Sequence, residues 1–400
     1  MIPIRIPPPD PEKGWSRGAQ LLPGAVVIPP FAAAPVQPTG VYASPIKFIH
    51  MSLCFRDDEP FTRPPDYQEP VETVQGLHLW CGILQPHFGH FLCEGVARYW
   101  FVTKAPIQSL VFVARRPGKL EEIKGMHRQI TALFGVNIPI RVVTQTTRFE
   151  HMIVAGPGFG LGRIALGTPE FHAFAKRFGK DIPTGPPGKL YISRSALPLD
   201  AGGVLMELIL EANLAASGYE IWHPQDHPLE EQISRLKGAT EILGLDGSPF
   251  HLLGLVGNRD QKIGLILRRN SFDRDNILRQ FRGFIGEEPV VIDAVVAHWV
   301  PEGHYWARGM LNFGELDFAD LREKLVAEGF ISADAPWTVP PAKKVGTTVG
   351  WLTRKAGRKL VRADRNEDPA LLKRRAQAVV DDIGVQEVSV QPTSSSPEKK

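Results

Sequence analysis

The chain is poor in the features that assign a protein quickly. Cysteine is scarce, with three in 400 residues (Cys54, Cys81, Cys93). The odd number without CxxC spacing gives neither a disulfide framework nor a zinc signature. Small buried hydrophobes in a reducing compartment are the plainer reading. An excess of charge of either sign is missing too: 46 Lys+Arg against 43 Asp+Glu leaves a formal net charge of +3. That balance excludes a dedicated nucleic-acid binder. No apolar run reaches the ~20 residues that cross a bilayer, and MIPIRIPPPDPEKGW lacks the basic and apolar regions of a secretory leader. A cytoplasmic location is expected. No GxSxG elbow supports a serine hydrolase, and no internal repeat is found.

Proline, by contrast, is plentiful, at 36 residues. It crowds the first 75 (IRIPPPDPEK, VVIPPF, DEPFTRPPDYQEP), where it breaks helices and permits only edge strands or extended cover. Residues 1–75 are read as a Pro-rich cover segment with a strand at Ala25–Ile28. Regular structure then alternates. A strand at Leu77–Trp80 precedes a helix at Gly89–Tyr99 and a strand at Ser109–Val113. A helix at Lys119–Leu133 leads to strands at Ile140–Val143 and His151–Val154. After a Gly/Pro-rich break the second unit begins, with strands at Lys189–Ser193, Tyr219–Trp222, Thr240–Leu243, Ile263–Leu267 and Val290–Ile292. Helices at Val204–Ala216, Leu229–Leu236, Gly247–Leu255 and Phe272–Phe284 separate them, and Phe318–Glu328 follows. Such alternation implies largely parallel α/β sheets. The divisions expected are 76–187, 188–335 and a basic, flexible tail over 336–400. In that tail VGWLTRKAGRKLVR weakly matches an interfacial helix, with a solvated charged extension as the alternative, and QPTSSSPEKK is disordered by composition.

Several motifs bear on chemistry. GPGFGLG (Gly156–Gly162) lacks the third glycine of the dinucleotide fingerprint and reads as a hinge loop. GLDGSPFH (Gly244–His251) follows a strand and opens a helix, so the Gly247 and Ser248 amides face an anion, with His251 one turn further in. An ordinary turn capped by Asp246 or Ser248 is the alternative. Arg194, at the end of KLYISR, can grip a diphosphate in fork geometry, or form a surface ion pair. In HFGHFLCEGVAR, residues His90, Glu94 and Arg98 fall in one helical stripe with His87 one turn earlier. A His–Glu pair there supplies a general base; a Glu94–Arg98 ion pair is the bland alternative. Trp299, Tyr305 and Trp306 are aromatic core or sugar-stacking residues.

Taken in order, these segments resemble glycosyltransferase family 61, in its bacterial branch linked to capsular and other surface polysaccharides. Its helix resembling HxLxExLPR corresponds to His90, Glu94 and Arg98, and its K-hydrophobic-Y-I-S-R to Lys189–Arg194. Gly218–Ile221 matches its strand entry, Glu231-Gln232-Ile233 its EQI, and Ile242–His251 its IxGxHGSxLxN segment. Asp246 stands where the family has histidine, Pro249 where it has a small residue. The resemblance implies a GT-B-like α/β fold, two Rossmann-like parallel-sheet halves facing a cleft. It implies inverting, metal-independent transfer from a nucleotide sugar, with no cofactor, to a saccharide or lipid-linked saccharide acceptor. His90 or Glu94 then serves as catalytic base, with Arg98 and His87 in support on the acceptor side. Arg194, Glu231, Gln232, Asp246, Gly247, Ser248 and His251 hold the donor, and the tail offers peripheral membrane contact. Two other classes stay open: a non-catalytic subunit of a polysaccharide assembly complex, and a metal-dependent hydrolase using His87, His90 and Glu94.

Overall fold

The structure is a computed structural model that describes residues 15–31, 34, 36–56, 59–115, 123–269, 273–302 and 312–364. Tyr305, Trp306 and the segment from 365 onward, including QPTSSSPEKK, lie outside the described residues. The first unit is built on a seven-stranded sheet. Across it run Ile140–Val143, Ser109–Ala114, Glu72–Leu84, Thr147–Ala155, Ala19–Ile28, Gly40–Ser44 and Lys47–Phe48. The first four are mutually parallel; the last three join antiparallel. Alternation decides which face each residue takes. Leu79, Cys81, Leu110, Phe112, Ile153 and Ala155 enter the main core, while Trp80, Val111, Val113, Met152 and Val154 enter a second one. Both faces are therefore buried, which suits these unbroken apolar runs.

The proline-rich start is more than a cover. Ala19–Ile28 pairs with Thr147–Ala155 from Ala19 to Val27, but with Gly40–Ser44 only from Val26 onward. Pro23 lies opposite His151 in the part with a single neighbour, where a missing N–H breaks no second ladder. The first sheet is consequently mixed rather than largely parallel.

The second unit is a five-stranded, wholly parallel sheet in the order Tyr219–Trp222, Lys189–Ile192, Glu241–Leu245, Lys262–Ile266, Val290–Ile292. Helices Glu207–Ala216, Leu229–Gly238, Ser248–Val256 and Asp273–Phe284 connect successive strands. By chain order the arrangement is 2-1-3-4-5, the doubly wound pattern whose direction reverses between the first strand and the third. Right-handed crossovers put helices on opposite faces at that point and open a crevice beyond the strand ends.

A third sheet was not foreseen. It runs Gly203–Val204, Phe313–Leu316, Val295–Pro301, Leu360–Asp364. Helix Lys343–Ala356 packs on it through Val349 and Leu352, which are buried with Leu205, Phe313 and Leu360. The stretch after Pro336 is held too: the Asn213 amide donates to the Thr338 carbonyl at 3.0 Å and accepts its N–H at 2.8 Å. The tail reading thus needs correction over 336–364, since long-range strand pairing leaves no local period to read. No helix among the described residues is long and apolar enough to cross a membrane. All three cysteines are buried and unbridged, and burial pushes the Cys81 and Cys93 thiols far up.

The two units meet where helix Asp273–Phe284 crosses the 3-10 turn Gly162–Leu166. Asn276 accepts the Gly162 N–H there, and a Cβ at Gly283 would come within 2.1 Å of the Leu166 carbonyl oxygen. Gly283→Ala is expected to destabilise by about 1–3 kcal/mol through backbone displacement. Urea unfolding checks this; an unchanged midpoint would mean that the crossing is not close-packed.

Candidate functional site

Beyond the carboxyl ends of the parallel strands lies a cavity of about 210 Å³. His90, Arg194, Asp246, Gly247, Ser248 and His251 line it, together with Gly89, Leu161, Arg268, Arg269, Asn276 and Ile277. It sits at the reversal point. Arg194 follows the first strand, Asp246–Ser248 the third, and Arg268–Arg269 the fourth.

Three guanidinium groups in one crevice require a counter-charge. Asp246, only 2% exposed, provides it: its carboxylate lies 2.9 Å from Arg268 Nε and 3.5 Å from Arg269 Nε. Arg268 Nε also donates to the Asp246 carbonyl at 2.8 Å. Asp246, expected among the donor contacts, lines the cavity with its carboxylate paired to two of its arginines. A carboxylate facing an anion would repel it, whereas here it aims two arginines.

Arg194 is fixed from its backbone. Glu207 Oε1 accepts the Arg194 N–H at 2.7 Å and the hydroxyls of Tyr191 and Ser193 at 3.2 Å each. Burial pushes the Glu207 carboxyl up. Met206, just before it, has φ 61, the left-handed region, at the entry to helix Glu207–Ala216. The Arg194 guanidinium donates Nη2–H to the Ala201 carbonyl at 2.7 Å, and its Nε has no hydrogen-bond partner among the described residues. Burial pulls its pKa below the ordinary guanidinium value, with Asp246 and Glu207 opposing. A Cβ on Gly247 would meet Arg194 Nη1 at 2.8 Å, so glycine lets the guanidinium lie against the loop.

Helix Ser248–Val256 begins with Gly247 at its N-cap and Pro249 in its first turn, where proline is tolerated. Pro249 has no N–H to give, and the Phe250 N–H turns to the Gly247 carbonyl at 3.1 Å. The helix start therefore offers fewer N–H groups to the cavity than the sequence suggests. His251 Nδ1 donates to Gln280 Oε1 at 2.7 Å, and Gln280 Nε2 returns a bond to the His251 carbonyl at 2.9 Å. That pair fixes the ring.

On the opposite wall, helical turn Phe88–His90 runs into a π-turn, Phe91–Gly95. Gly89 packs against Ser248; a Cβ there would lie 2.6 Å from Ser248 Oγ. His90 Nδ1 is 2.7 Å from Glu94 Oε2. Arg56 holds the same carboxylate in a fork, Nε to Oε1 at 2.8 Å and Nη2 to Oε2 at 2.7 Å. Burial pushes the Glu94 carboxyl up, but the bonds from His90 and Arg56 outweigh it and hold it below the ordinary range. Glu94 is a fixed anion that orients the imidazole.

Not every expected residue joins the cavity. The π-turn breaks the stripe assumed for a regular helix, since an extra residue per turn shifts the phase. Arg98 instead donates to the carbonyls of Ala155 at 2.9 Å and Leu53 at 2.8 Å, tying the Pro-rich segment to the sheet. With Glu94 it lines a separate cavity of about 20 Å³. His87 is exposed at the start of the turn. Glu231 pairs with His227 at 2.9 Å on the surface. Gln232 donates to the Pro224 and His227 carbonyls at 2.7 and 2.9 Å, bracing a loop. Four charged lining or supporting residues escaped the sequence reading: Arg56, Glu207, Arg268 and Arg269.

Because Glu94 titrates lower folded than unfolded, its contribution to stability is full above about pH 4.3, the unfolded value. It is lost as pH falls through the lower folded one. The stability gap between wild type and Glu94→Gln should therefore stay level from about pH 6 to about pH 4.3 and shrink from there toward about pH 3. Urea midpoints across that range check it; a constant gap contradicts the assignment.

The family model described as Glycosyltransferase 61 matches residues 88–256. No curated protein matches the chain. The matched stretch opens at the turn bearing His90 and closes with the helix behind Gly247 and Ser248, so it spans both walls of the cavity. Over residues 88–256 the chain is similar to glycosyltransferase family 61.

Proposed function

We propose that the chain moves a sugar from a nucleoside-diphosphate donor to an acceptor hydroxyl, inverting the anomeric centre. The two α/β units act as the halves of a GT-B-like enzyme. The observation that carries this reading is the cavity at the reversal point, where three arginines face one carboxylate opposite a carboxylate-oriented histidine. A cluster of guanidinium groups lining one crevice favours a multiply charged anion, and a diphosphate suits it.

The roles follow from the contacts. With Nδ1–H donated to Glu94, neutral His90 carries its acceptor lone pair on Nε2. As base, Nε2 takes the proton of the acceptor hydroxyl while that oxygen forms its bond to the anomeric carbon. The bond from that carbon to the diphosphate oxygen breaks on the opposite face, and the electron pair leaves with the diphosphate. Glu94 then stabilises the imidazolium, and Arg56 keeps Glu94 charged and in place. Arg194, Arg268 and Arg269, with the Gly247 and Ser248 amides, neutralise the departing charge, which grows as the bond breaks. Glu231, Gln232 and Arg98 belong to the frame in this reading rather than to the donor contacts. No step assigned here calls on a metal ion or cofactor. A saccharide or lipid-linked saccharide acceptor, surface-polysaccharide assembly and a cytoplasmic site of action complete the proposal, on the strength of the family alone.

Arg194→Ala should weaken binding of a nucleoside diphosphate roughly ten- to hundredfold, the cost of one or two charge-assisted hydrogen bonds. Isothermal calorimetry reads this directly, and undiminished affinity would remove Arg194 from the site. His90→Ala should leave that affinity within about twofold, yet lower turnover by roughly two to four orders of magnitude. Loss of binding without loss of turnover per bound donor would reverse the two roles.

A further inference from the structure

Helix Lys343–Ala356 uses one side against the third sheet and leaves the other to solvent. Lys343, Lys344, Trp351, Arg354 and Lys355 are exposed, and so is Arg358 just beyond the helix. Lys344, Trp351, Arg354 and Lys355 follow one another at about helical spacing, so they form one stripe, with Arg358 just past its end. No acidic residue occurs between Asp334 and Asp364. Nearby Lys359 and Arg362 are neutralised by Glu302 and Glu315, whereas those in the stripe have no ion-pair partner among the described residues. Trp351 is 48% exposed, with the Lys355 ammonium 4.7 Å from its ring centre.

We propose that this stripe docks the protein on the surface of an anionic phospholipid bilayer. Charge complementarity identifies the partner: on a molecule of net charge only +3, this helix turns an exposed side of basic residues without acidic ones to solvent, as surface-bound helices do. The apolar side is already spent on Val349 and Leu352, so the helix cannot sink into the acyl region. Contact is by phosphate groups on Lys and Arg, with the Trp351 indole at headgroup depth. Nucleic acid would accept the same charges, but one indole gives no succession of stacking platforms. This surface is independent of the donor cavity, and the test does not depend on catalysis.

The full chain is co-sedimented with phosphatidylcholine vesicles, with and without about 30% phosphatidylglycerol. Binding should require the anionic lipid and weaken as salt rises. The combined variant Lys343→Glu, Lys344→Glu, Arg354→Glu, Lys355→Glu should lower partitioning roughly tenfold or more, and Trp351→Ser should lower it several-fold. Thermal melts verify that each variant is folded; if the fourfold variant is not, Lys343→Glu with Lys344→Glu carries the test. Absence of vesicle binding, equal binding to neutral vesicles, or indifference to charge reversal overturns the proposal. Retention by duplex nucleic acid without vesicle binding also overturns it and reassigns the stripe.

Discussion

Everything at the candidate site depends on how three arginines, one buried and two half-buried, are kept in one crevice. Two unit charges 4 Å apart repel by about 4 kcal/mol at an effective dielectric near 20, and burial adds a desolvation cost for each. Asp246 makes the cluster tolerable by pairing with Arg268 and Arg269. It leaves Arg194 opposite Gly247, its pKa already depressed by burial. This placement of the guanidinium groups at one sheet edge connects the fold's topology to the chemistry proposed.

Topology supplies the placement. In a parallel sheet of order 2-1-3-4-5 every connection starts from the same edge, and the reversal leaves a gap there that no crossover fills. Arg194, the Asp246–Ser248 loop and Arg268–Arg269 all occupy that edge because each follows a strand directly. The opposite wall comes from the first unit, through the close approach of Gly89 to Ser248. A side chain at residue 89 would push His90 away from the anion loop, so the catalytic geometry proposed rests on a missing Cβ.

Much of this was legible in the chain. Runs such as KLYI, EILGL and KIGLI announce buried parallel strands, and the helices between them show their period. The cavity residues His90, Arg194, Gly247, Ser248 and His251 follow from motif order. What stayed hidden has physical causes. Arg56 reaches Glu94 across 38 residues, and no spacing rule spans such a distance. Arg268 and Arg269 look like a solvated basic turn, although their position directly after an apolar strand was a usable signal. Arg98 was misplaced because a π-turn departs from the regular helical phase. Leu360–Asp364 was missed because its partner, Val295–Pro301, lies far back in the chain.

The central claim is that the arginine crevice receives the donor diphosphate. A crystal structure of the protein soaked with a nucleoside diphosphate tests it most directly. The account predicts phosphate oxygens within hydrogen-bond distance of Arg194 and of at least one of Arg268 and Arg269, beside Gly247, with Asp246 still paired. A nucleotide bound outside this cavity, or phosphates turned away from all three guanidinium groups, would contradict it.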